Sequence, residues 1–463
     1  MEIKTFPANE VPEKWSVVDT APESVHEIMP EFLEGARMVI YNGALGLYQN
    51  RLFGEATREV IFSLEDLKRK NSEVKIVVLG GDGTTVLVKY LGEERAKELA
   101  YLSSEMGGAG WKYLLGKPLP ALDYVHRKKL DLKENNVNGV IDYSNLVSIN
   151  DLPCWYWQDK LALVDVLVIA DLNIGKTKNM TEDRLLKFQK IRTIIKVIKD
   201  LRERMGENRK IIIITHNGRF KDYHKKLKVS PPDGTVDPDY SVEQMAKILT
   251  VLLRKEGVFK EMDEITFVPY SVLPETAFEN PEIKNGNVIF LENPRFWKDE
   301  TSKDKDIALE HSKKIWRAVK FVSNPTICVQ AAMGALHRDQ ASRRLITQFV
   351  MGPRVVSLPV KEELAKLYEI GTNPERPVVA IISGNKKEKI EDVIKPLIEK
   401  RKVNKIFIGG KIVMAFIHKE PLAVKIMELA EENGIKIYLP KKVVAAKIPS
   451  EMTEAEFISA LKK

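Results

Sequence analysis

Short, nearly continuous apolar runs alternate along the chain with longer stretches of helical periodicity. β-Branched residues dominate these runs, as they do in strands buried on both faces of a parallel sheet. The runs are MVIYNG (38–43), KIVVLGG (75–81), VDVLVIADLN (164–173), KIIIITHNGR (210–219), NVIFLENPR (287–295), PVVAIISGN (377–385), KIFIGG (405–410) and KIYLP (436–440). The helical stretches include 181–206, which opens at a candidate N-cap, Thr181, and 421–434. This alternation predicts an α/β chain of doubly wound parallel sheets with right-handed crossovers.

Most of the predicted strands end in a polar or glycine-bearing segment. The segments are NGALG, GGDGT, DLN, HNGR, ENPR, SGNKK and GGK. Ligands of open parallel sheets bind beyond the carboxyl ends of the strands. The recurrence of Gly, Arg, Asn and Asp at these ends therefore predicts a long cleft lined for phosphate.

Composition narrows the class of protein. The chain has 463 residues, of which 44% are hydrophobic and 30% charged, so it is globular with two to four domains. It has no apolar run of membrane-spanning length and no basic start followed by an apolar core. Its two cysteines, Cys154 and Cys328, form neither a disulfide framework nor a thiolate metal site. We therefore expect a cytoplasmic protein without a membrane partner.

The net charge of +8 has two interpretations, a basic patch for phosphates or an aid to solubility. Lys and Arg are spread along helices together with Glu rather than clustered, so a nucleic-acid partner is not expected.

Three motifs carry candidate chemistry. In GGDGTT (80–85), glycines would let backbone N–H groups approach phosphate and an acidic residue could face a nucleotide's magnesium, although a tight strand–helix turn looks the same. Lys386 and Lys389 share a face if a helix starts there, and the alternative is a solvated first turn. The third set consists of the basic residues at strand ends, His216, Arg219, Arg295 and Arg338. Each arginine alone is more typical of a surface ion pair, but together they would bind a small dianion.

Other catalytic signatures are missing from the sequence. It contains no Cys/His cluster, no GxSxG and no GxxxxGK[ST]. Serine-triad hydrolysis and classical P-loop chemistry therefore lack support.

The order of the strand-end motifs resembles that of the phosphoglycerate kinase family, with a rotation. ADLN (170–173), THNGR (215–219), LENPRF (291–296) and QAAMGALHRDQAS (330–342) resemble its substrate-side motifs in order. NPERPVVAIISGNKKEKI, FIGGKIVMAF and GIKIYLPKKVVAAK then resemble the start of its nucleotide domain. VIYNGALGLYQNRLF (39–53), VVLGGDGTT (77–85) and SSEMGGAGWKYLLGKPLPALDYV (103–125), which resemble the family's final third, come first in this chain. The resemblance thus implies a circularly permuted chain.

The resemblance also implies a domain plan. Residues 1–125 and 366–463 would form the second and first halves of a nucleotide-binding domain. Residues 155–365 would form the phosphoglycerate domain, and residues 126–154 a linker. A hinge would bring the two substrates together, and a monomer is expected.

Site residues follow by resemblance, position by position. Asp171, Asn173, His216, Arg219, Arg295 and Arg338 would bind 3-phosphoglycerate or 1,3-bisphosphoglycerate. Lys386, Lys389 and Lys187 would be catalytic. ATP or ADP would contact Asn42, Gln49, Gly80, Gly81, Asp82, Gly83, Thr84, Gly107, Gly108, Gly409 and Gly410, with Asp82 facing the nucleotide's Mg²⁺.

The chain departs from the family's pattern at several of these places. Ile169 stands where the family has an Arg before ADLN, and Lys187 where it has an Arg on the first helix. Ala331 replaces an Asp, and Lys411 the third glycine of a nucleotide loop.

Three functions remain open from the sequence. The first is reversible phosphoryl transfer between ATP and the carboxylate of 3-phosphoglycerate. The second is a catalytically impaired or non-catalytic relative that binds a phosphorylated acid or nucleotide. The third is a kinase for another small substrate.

Overall fold

A computed structural model describes most of the chain. The described residues are 1–125, 136–137, 139–143, 145–153, 157, 164–186, 188–205, 209–220, 223, 232–272 and 287–461. Lys187 and residues 126–135 of the predicted linker lie outside them.

The described strands, in chain order, are β1 (Ile3–Pro7), β2 (Trp15–Thr20), β3 (Met38–Asn42), β4 (Lys75–Leu79), β5 (Leu102–Ser104), β6 (Asn136–Val137), β7 (Val140–Ile141), β8 (Val166–Ala170), β9 (Ile211–Thr215), β10 (Ile265–Val268), β11 (Val288–Leu291), β12 (Ile327–Gln330), β13 (Arg354–Val356), β14 (Val378–Ile382), β15 (Lys405–Ile408), β16 (Lys436–Tyr438) and β17 (Lys442–Lys447).

The described α-helices are α1 (Pro22–Leu33), α2 (Glu55–Lys70), α3 (Gly81–Leu91), α4 (Glu93–Leu99), α5 (Gly107–Leu114), α6 (Glu182–Leu186), α7 (Gln189–Met205), α8 (Glu243–Lys255), α9 (Lys305–Val322), α10 (Leu358–Thr372), α11 (Lys395–Glu399), α12 (Val413–Ile417), α13 (Pro421–Glu432) and α14 (Glu454–Leu461). None of these helices has the length and apolar character needed to cross a membrane.

The chain divides into two compact units. The first comprises Met1–Gly116, Asn138–Val140 and Glu369–Lys463, and the second comprises Lys117–Val137 and Ile141–Tyr368. Each contains one six-stranded parallel sheet with helices, which confirms the predicted α/β class.

The sheet of the first unit draws strands from both ends of the chain. Its order is β16-β15-β14-β3-β4-β5, and all neighbouring pairs are parallel. β14 pairs with β3 over five residues, from Val378 opposite Met38 to Ile382 opposite Asn42. The carboxyl ends of β3 and β14 therefore lie side by side at one edge of the sheet.

A smaller antiparallel sheet completes the first unit, in the order β1-β17-β2. The C-terminal helix α14 packs beside it through Phe457 and Leu461, which join Val18, Leu47 and Phe53 in one buried apolar cluster. The two termini of the chain thus share a single small core.

The sheet of the second unit is buried on both faces. Its order is β10-β11-β9-β8-β12-β13, again parallel. Val166 and Val168 of β8 point into one core and Leu167 and Ile169 into the other. Because both faces are covered, every residue of the strand is apolar, as the sequence pattern indicated.

All eight apolar runs form strands, whereas the long helical stretch differs from expectation. Residues 181–206 were predicted as one helix, but α6 ends at Leu186 and α7 begins at Gln189. Thr181 does accept the N–H of Arg184 at 3.4 Å, which supports its predicted role as the N-cap.

Candidate functional site

Polar side chains converge at the carboxyl edge of the second unit's sheet. β11, β9, β8 and β12 are neighbours in that order, so the residues that follow them lie along one edge. Asp171 follows β8, His216 follows β9 and Arg295 follows β11. Sheet order thus brings together residues that are far apart in the sequence.

His216 lies at the bottom of this edge and is 1% exposed. Arg343 Nε donates a hydrogen bond to its Nδ1 at 3.2 Å, so the neutral ring carries its proton on Nε2. That Nε2–H donates to Glu300 Oε1 at 2.8 Å. Burial and the charge of Arg343 lower the pKa of His216 to about 4, so the ring is neutral at pH 7.

Glu300 is fully buried and accepts from several donors. Ser342 donates its hydroxyl at 2.7 Å and its backbone N–H at 3.2 Å, and His311 Nε2 lies 3.6 Å away. Burial alone would raise the pKa of Glu300, but the hydrogen bond from His216 and the interaction with His311 outweigh it and lower the pKa. The carboxylate therefore stays ionised and anchors His216.

Asp171 is held between two cations. Lys190 Nζ lies 3.0 Å from Oδ2, and Arg343 Nη2 lies 3.5 Å from Oδ1. Burial alone would raise the pKa of Asp171, but Lys190 and Arg343 lower it well below its usual range. Asp171 is therefore charged and fixed in place.

Three predicted arginines lie above this buried layer. Arg219 and Arg338 are exposed, and Arg295 is half-buried. Burial and the charge of Arg219 lower the pKa of Arg295. Burial and the charges of Arg295 and Arg219 likewise lower the pKa of Arg338. These like charges repel one another, and an anion placed among them would remove that repulsion.

Backbone contacts fix the orientation of this arginine layer. Arg295 Nη1 donates to the carbonyl of Gly218 at 2.6 Å. The N–H of the same glycine donates to Asn173 Oδ1 at 2.8 Å. Gly218 has φ +72°, and a Cβ there would lie 2.5 Å from the ring of Tyr240, so only glycine fits this turn. The predicted Asn173 and Arg295 thus meet on one turn.

The structure adds three residues that sequence reasoning missed, Lys190, Glu300 and Arg343. Lys190 comes three residues after Lys187 in the sequence, which is outside the described residues, and Lys190 is the lysine that reaches Asp171. Arg343 is in the Arg-Arg pair five residues after Arg338, a signal that was available in the sequence. Glu300, in a run of charged residues, carried no such signal.

The candidate nucleotide residues lie at the corresponding edge of the first unit. Lys389 Nζ donates to Asn42 Oδ1 at 2.8 Å and to the carbonyl of Ser383. Burial and the charge of Lys386 lower the pKa of Lys389 to about 8, although Asp82 opposes this. Lys386 is exposed and precedes the first helical turn, so the two lysines do not share a helix face.

A cavity of about 350 Å³ opens beside these residues. It is bordered by Ala44 and Leu45 after β3, Gly384 after β14, Gly410 and Lys411 after β15, and Glu454 of α14. Gly410 has φ +64°, and a Cβ there would lie 2.6 Å from Ser383 Oγ. Bare backbone therefore lines part of this cavity, as a phosphate site requires.

The C-terminal helix supplies one wall of this cavity. Lys411 Nζ lies 2.5 Å from Glu454 Oε2, and Ser16 Oγ donates to Oε1 at 2.6 Å. Lys411, which the resemblance aligns with the family's third glycine, therefore points its charge at α14.

The GGDGTT run does not form a free loop. Gly80 has φ +95°, and helix α3 begins at Gly81, so Gly83 and Thr84 lie in its first turn. The hydroxyl of Thr84 bonds the carbonyl of Gly81 at 3.0 Å. The exposed Asp82 accepts the hydroxyl of Tyr48 at 3.0 Å. The first turn of a helix presents free N–H groups, so this run can still bind an anion.

The remaining predicted residues flank this edge. Gly107 begins α5, and a Cβ on it would lie 3.2 Å from the Cα of Gly80, so the two glycines let their segments touch. Gly108 and Gln49 are exposed. A Cβ on Gly409 would lie 2.9 Å from Leu45 Cγ.

Comparisons with known proteins identify the family of this chain. The sequence model described as phosphoglycerate kinase matches residues 1–117 and 159–462. The phosphoglycerate kinase of a Nostoc species is 31% identical over 296 residues, which cover 60% of this chain and 64% of that protein. That of Dictyoglomus turgidum is 31% identical over 297 residues, which cover 61% and 64%. The matched part thus spans less than two thirds of these relatives' length.

A crystal structure of phosphoglycerate kinase from Pyrococcus horikoshii OT3 is similar over 66% of this chain and 72% of its own, with 17% identity and a TM-score of 0.44. The family model matches a larger part of the chain than this structure does. Its two matched segments include both six-stranded sheets and the strand ends described above. The chain therefore belongs to the phosphoglycerate kinase family.

Proposed function

We propose that this protein transfers a phosphoryl group reversibly between ATP and the carboxylate of 3-phosphoglycerate. The observation that carries the proposal is the basic cluster at the strand ends of the second unit. Its members are Arg219, Arg295, Arg338, Arg343 and Lys190, against the carboxylates Asp171 and Glu300. Five positive charges face two negative ones. The surplus of three matches a ligand that carries one phosphate dianion and one carboxylate.

The residue types suit transfer to a carboxylate. A carboxylate is already a nucleophile, so the reaction needs no general base, and positioning and charge neutralisation supply the rate. In this proposal the forks of Arg219, Arg295 and Arg338 bind and orient the phosphate. The neutral His216 and the charged Asp171 are themselves fixed by hydrogen bonds to Glu300, Arg343 and Lys190.

The first unit fits a nucleotide with magnesium. Bare backbone at Gly410 and the amino groups of Lys386 and Lys389 would contact the phosphates. The described residues contain no group of three or more metal-ligating side chains. Magnesium bound through nucleotide phosphates needs only one or two carboxylates, and the exposed Asp82 offers one. When bound, the ion would neutralise charge on the phosphates.

The test of this function is formation of ADP from MgATP in the presence of 3-phosphoglycerate, compared with 2-phosphoglycerate and glycerate. The proposal expects turnover with 3-phosphoglycerate and little with the other two acids. Turnover with only one of the other two acids would identify that acid, and not 3-phosphoglycerate, as the substrate. Binding of both ligands in a calorimeter without turnover would show a catalytically impaired relative.

The lowered pKa of Lys389 leads us to expect that nucleotide use depends on pH. Its pKa is lowered to about 8, so its charge is present below that pH and lost above it. Asp82 and Lys386 are the charged groups that act on it. We expect kcat/KM for MgATP, which reports the free enzyme, to fall as the pH rises through about 8. The Lys389→Arg variant keeps its charge and should lack this fall. A fall that persists in Lys389→Arg belongs to another group.

We also propose that the chain is circularly permuted relative to its family. Lys447, at the end of β17, donates its N–H to the carbonyl of Glu2 at 3.0 Å, just before β1 begins. β17 and β1 pair antiparallel, from Lys442 opposite Pro7 to Ala446 opposite Ile3. Joining Lys447 to Met1 would therefore create an ordinary hairpin.

This adjacency predicts that a reordered chain will fold. A variant that runs from residue 126 to Lys447 and continues directly from Met1 to Val125 should unfold cooperatively and bind 3-phosphoglycerate like its parent. It loses the contacts of Phe457 and Leu461, so a lower Tm is expected. The matched control is the original order without residues 448–463. If this control folds and the reordered chain does not, the proposed permutation is wrong.

A further inference from the structure

The second unit lacks an arginine at the strand position where the family resemblance leads one to expect it. Ile169 occupies that position in β8 and is 1% exposed. It belongs to an apolar core with Ala332, Ala335 and Ile346. An arginine there would have to bury its guanidinium among apolar side chains. The strand itself therefore cannot supply this cation.

Arg343 reaches the ends of β8 and β9 from another segment. Gln330, the last residue of β12, lies opposite Ile169 in the parallel register. The side-chain amide of Gln330 donates to the backbone carbonyl of Arg343 at 3.0 Å. Gln330 is fully buried, so this bond holds the backbone of Arg343 close to the end of β12. The side chain of Arg343 then reaches both neighbouring strand ends.

The contacts of Arg343 are directed at two candidate substrate residues. Its Nε donates to His216 Nδ1 at 3.2 Å, and its Nη2 lies 3.5 Å from Asp171 Oδ1. The first contact acts together with the acceptor Glu300 to place the proton of His216 on Nε2. The second supports the charged form of Asp171. One guanidinium thus orients the residues that follow β8 and β9.

Stability alone gives a weak reason for such a residue. Arg343 is 3% exposed, and its Nη1 has no hydrogen-bond partner within the part of the chain that the structure describes. Burying a cation with an unmade N–H costs stability, and an apolar residue of similar size would avoid that cost. Asp171 also has a closer partner in Lys190, at 3.0 Å. Arg343 is therefore better explained by its effect on the basic cluster.

We propose that Arg343 is a positioning and charge-supplying residue of the phosphoglycerate site. This inference rests on the proposed function. Arg343 raises the charge surplus of the cluster from two to three and holds His216 and Asp171 in register beneath the three outer arginines. It acts through these neighbours and does not touch the reacting atoms.

The test uses Arg343→Gln and Arg343→Lys in the full chain. Arg344→Gln is the matched control, because Arg344 is the next residue and pairs on the surface with Asp123 and Asp339. We expect Arg343→Gln to raise KM and Kd for 3-phosphoglycerate by about 10- to 100-fold, with KM for MgATP unchanged. Arg343→Lys keeps the charge without the fork, and should recover part of the loss. Arg344→Gln should behave as the parent.

A second readout does not depend on the substrate. Nitrogen NMR of His216 should show the Nε2–H tautomer in the parent, and a changed Nδ1 resonance and titration in Arg343→Gln. The groups that face this ring are Arg343, Glu300, Ser342, Arg295 and Asp171. Because only the first is changed, the difference reports its contact.

The outcomes separate this inference from the proposed function. If the parent does not bind 3-phosphoglycerate, the proposed function fails, and the His216 spectrum alone decides whether Arg343 positions that ring. If the parent binds and Arg343→Gln binds equally well, Arg343 has no role in the site. An equal loss in Arg344→Gln, or an unchanged His216 spectrum in both Arg343 variants, would also overturn the inference.

Discussion

Replacing Arg295 by alanine is expected to weaken 3-phosphoglycerate binding on the order of 100-fold and to leave MgATP binding unchanged. Arg295 is half-buried, and its guanidinium is oriented by the carbonyl of Gly218 at 2.6 Å. A pre-oriented, partly desolvated fork loses little entropy on binding an anion. Its removal therefore costs more than the loss of an exposed charge. Calorimetric titration of each ligand separately measures both effects.

The matched control for Arg295 is Arg254, an exposed arginine of the same unit that donates to the carbonyl of Asp263. Arg254→Ala should bind both ligands as the parent does. If Arg295→Ala loses both ligands equally while it stays folded, the assignment of substrate and nucleotide to separate units is wrong.

Replacing Lys386 by alanine is expected to lower kcat by about 10²- to 10³-fold, with a smaller change in KM for MgATP. The reason is that the charge on the phosphoryl oxygens must be neutralised during transfer. Lys386 follows β14 at the same edge as Lys389, whose buried amino group is already bonded to Asn42 and Ser383. Because Lys386 is exposed at this edge, we assign the contact with the phosphoryl group to it. Initial rates at saturating MgATP measure this effect.

Lys387 is the control for this change. It is the neighbouring exposed lysine, and its Nζ lies 2.5 Å from Glu420. Lys387→Ala should keep the parental kcat. An unchanged rate in Lys386→Ala, or an equal loss in Lys387→Ala, would remove Lys386 from the catalytic set.

Much of the fold follows from the apolar pattern. Strands covered on both faces, such as β8 and β14, appear in the sequence as short, continuous runs of β-branched residues. The break between α6 and α7 was not visible, because residues on both sides of it keep the same helical periodicity. The α/β class and the strand positions were therefore predictable, and this boundary was not.

The structure brings predicted site residues together where a side chain follows its own strand directly. Asp171, His216 and Arg295 each lie within a few residues of a strand end, so sheet order alone places them together. Lys190 and Arg343 reach the same edge from a helix and from a long connection. Their positions depend on tertiary packing, for which sequence spacing provides no rule.

The nucleotide side shows the same limit. For GGDGTT the sequence left a phosphate-binding run and a tight strand–helix turn open, and in the structure the turn at Gly80 leads directly into α3, which begins at Gly81. Lys411 could be identified as a departure from the family pattern. Its pairing with Glu454 could not, because α14 approaches from the far end of the chain.

The most direct test of the central claim follows the phosphoryl group itself. MgATP and 3-phosphoglycerate are incubated with the protein and hydroxylamine, which converts an acyl phosphate into a stable hydroxamate, with Lys386→Ala as the control for contaminating activity. We expect a hydroxamate of 3-phosphoglycerate, formed in step with ADP by the parent and about 10²- to 10³-fold more slowly by the variant. ADP formation without hydroxamate, or equal hydroxamate from both proteins, would contradict transfer to the carboxylate by this chain.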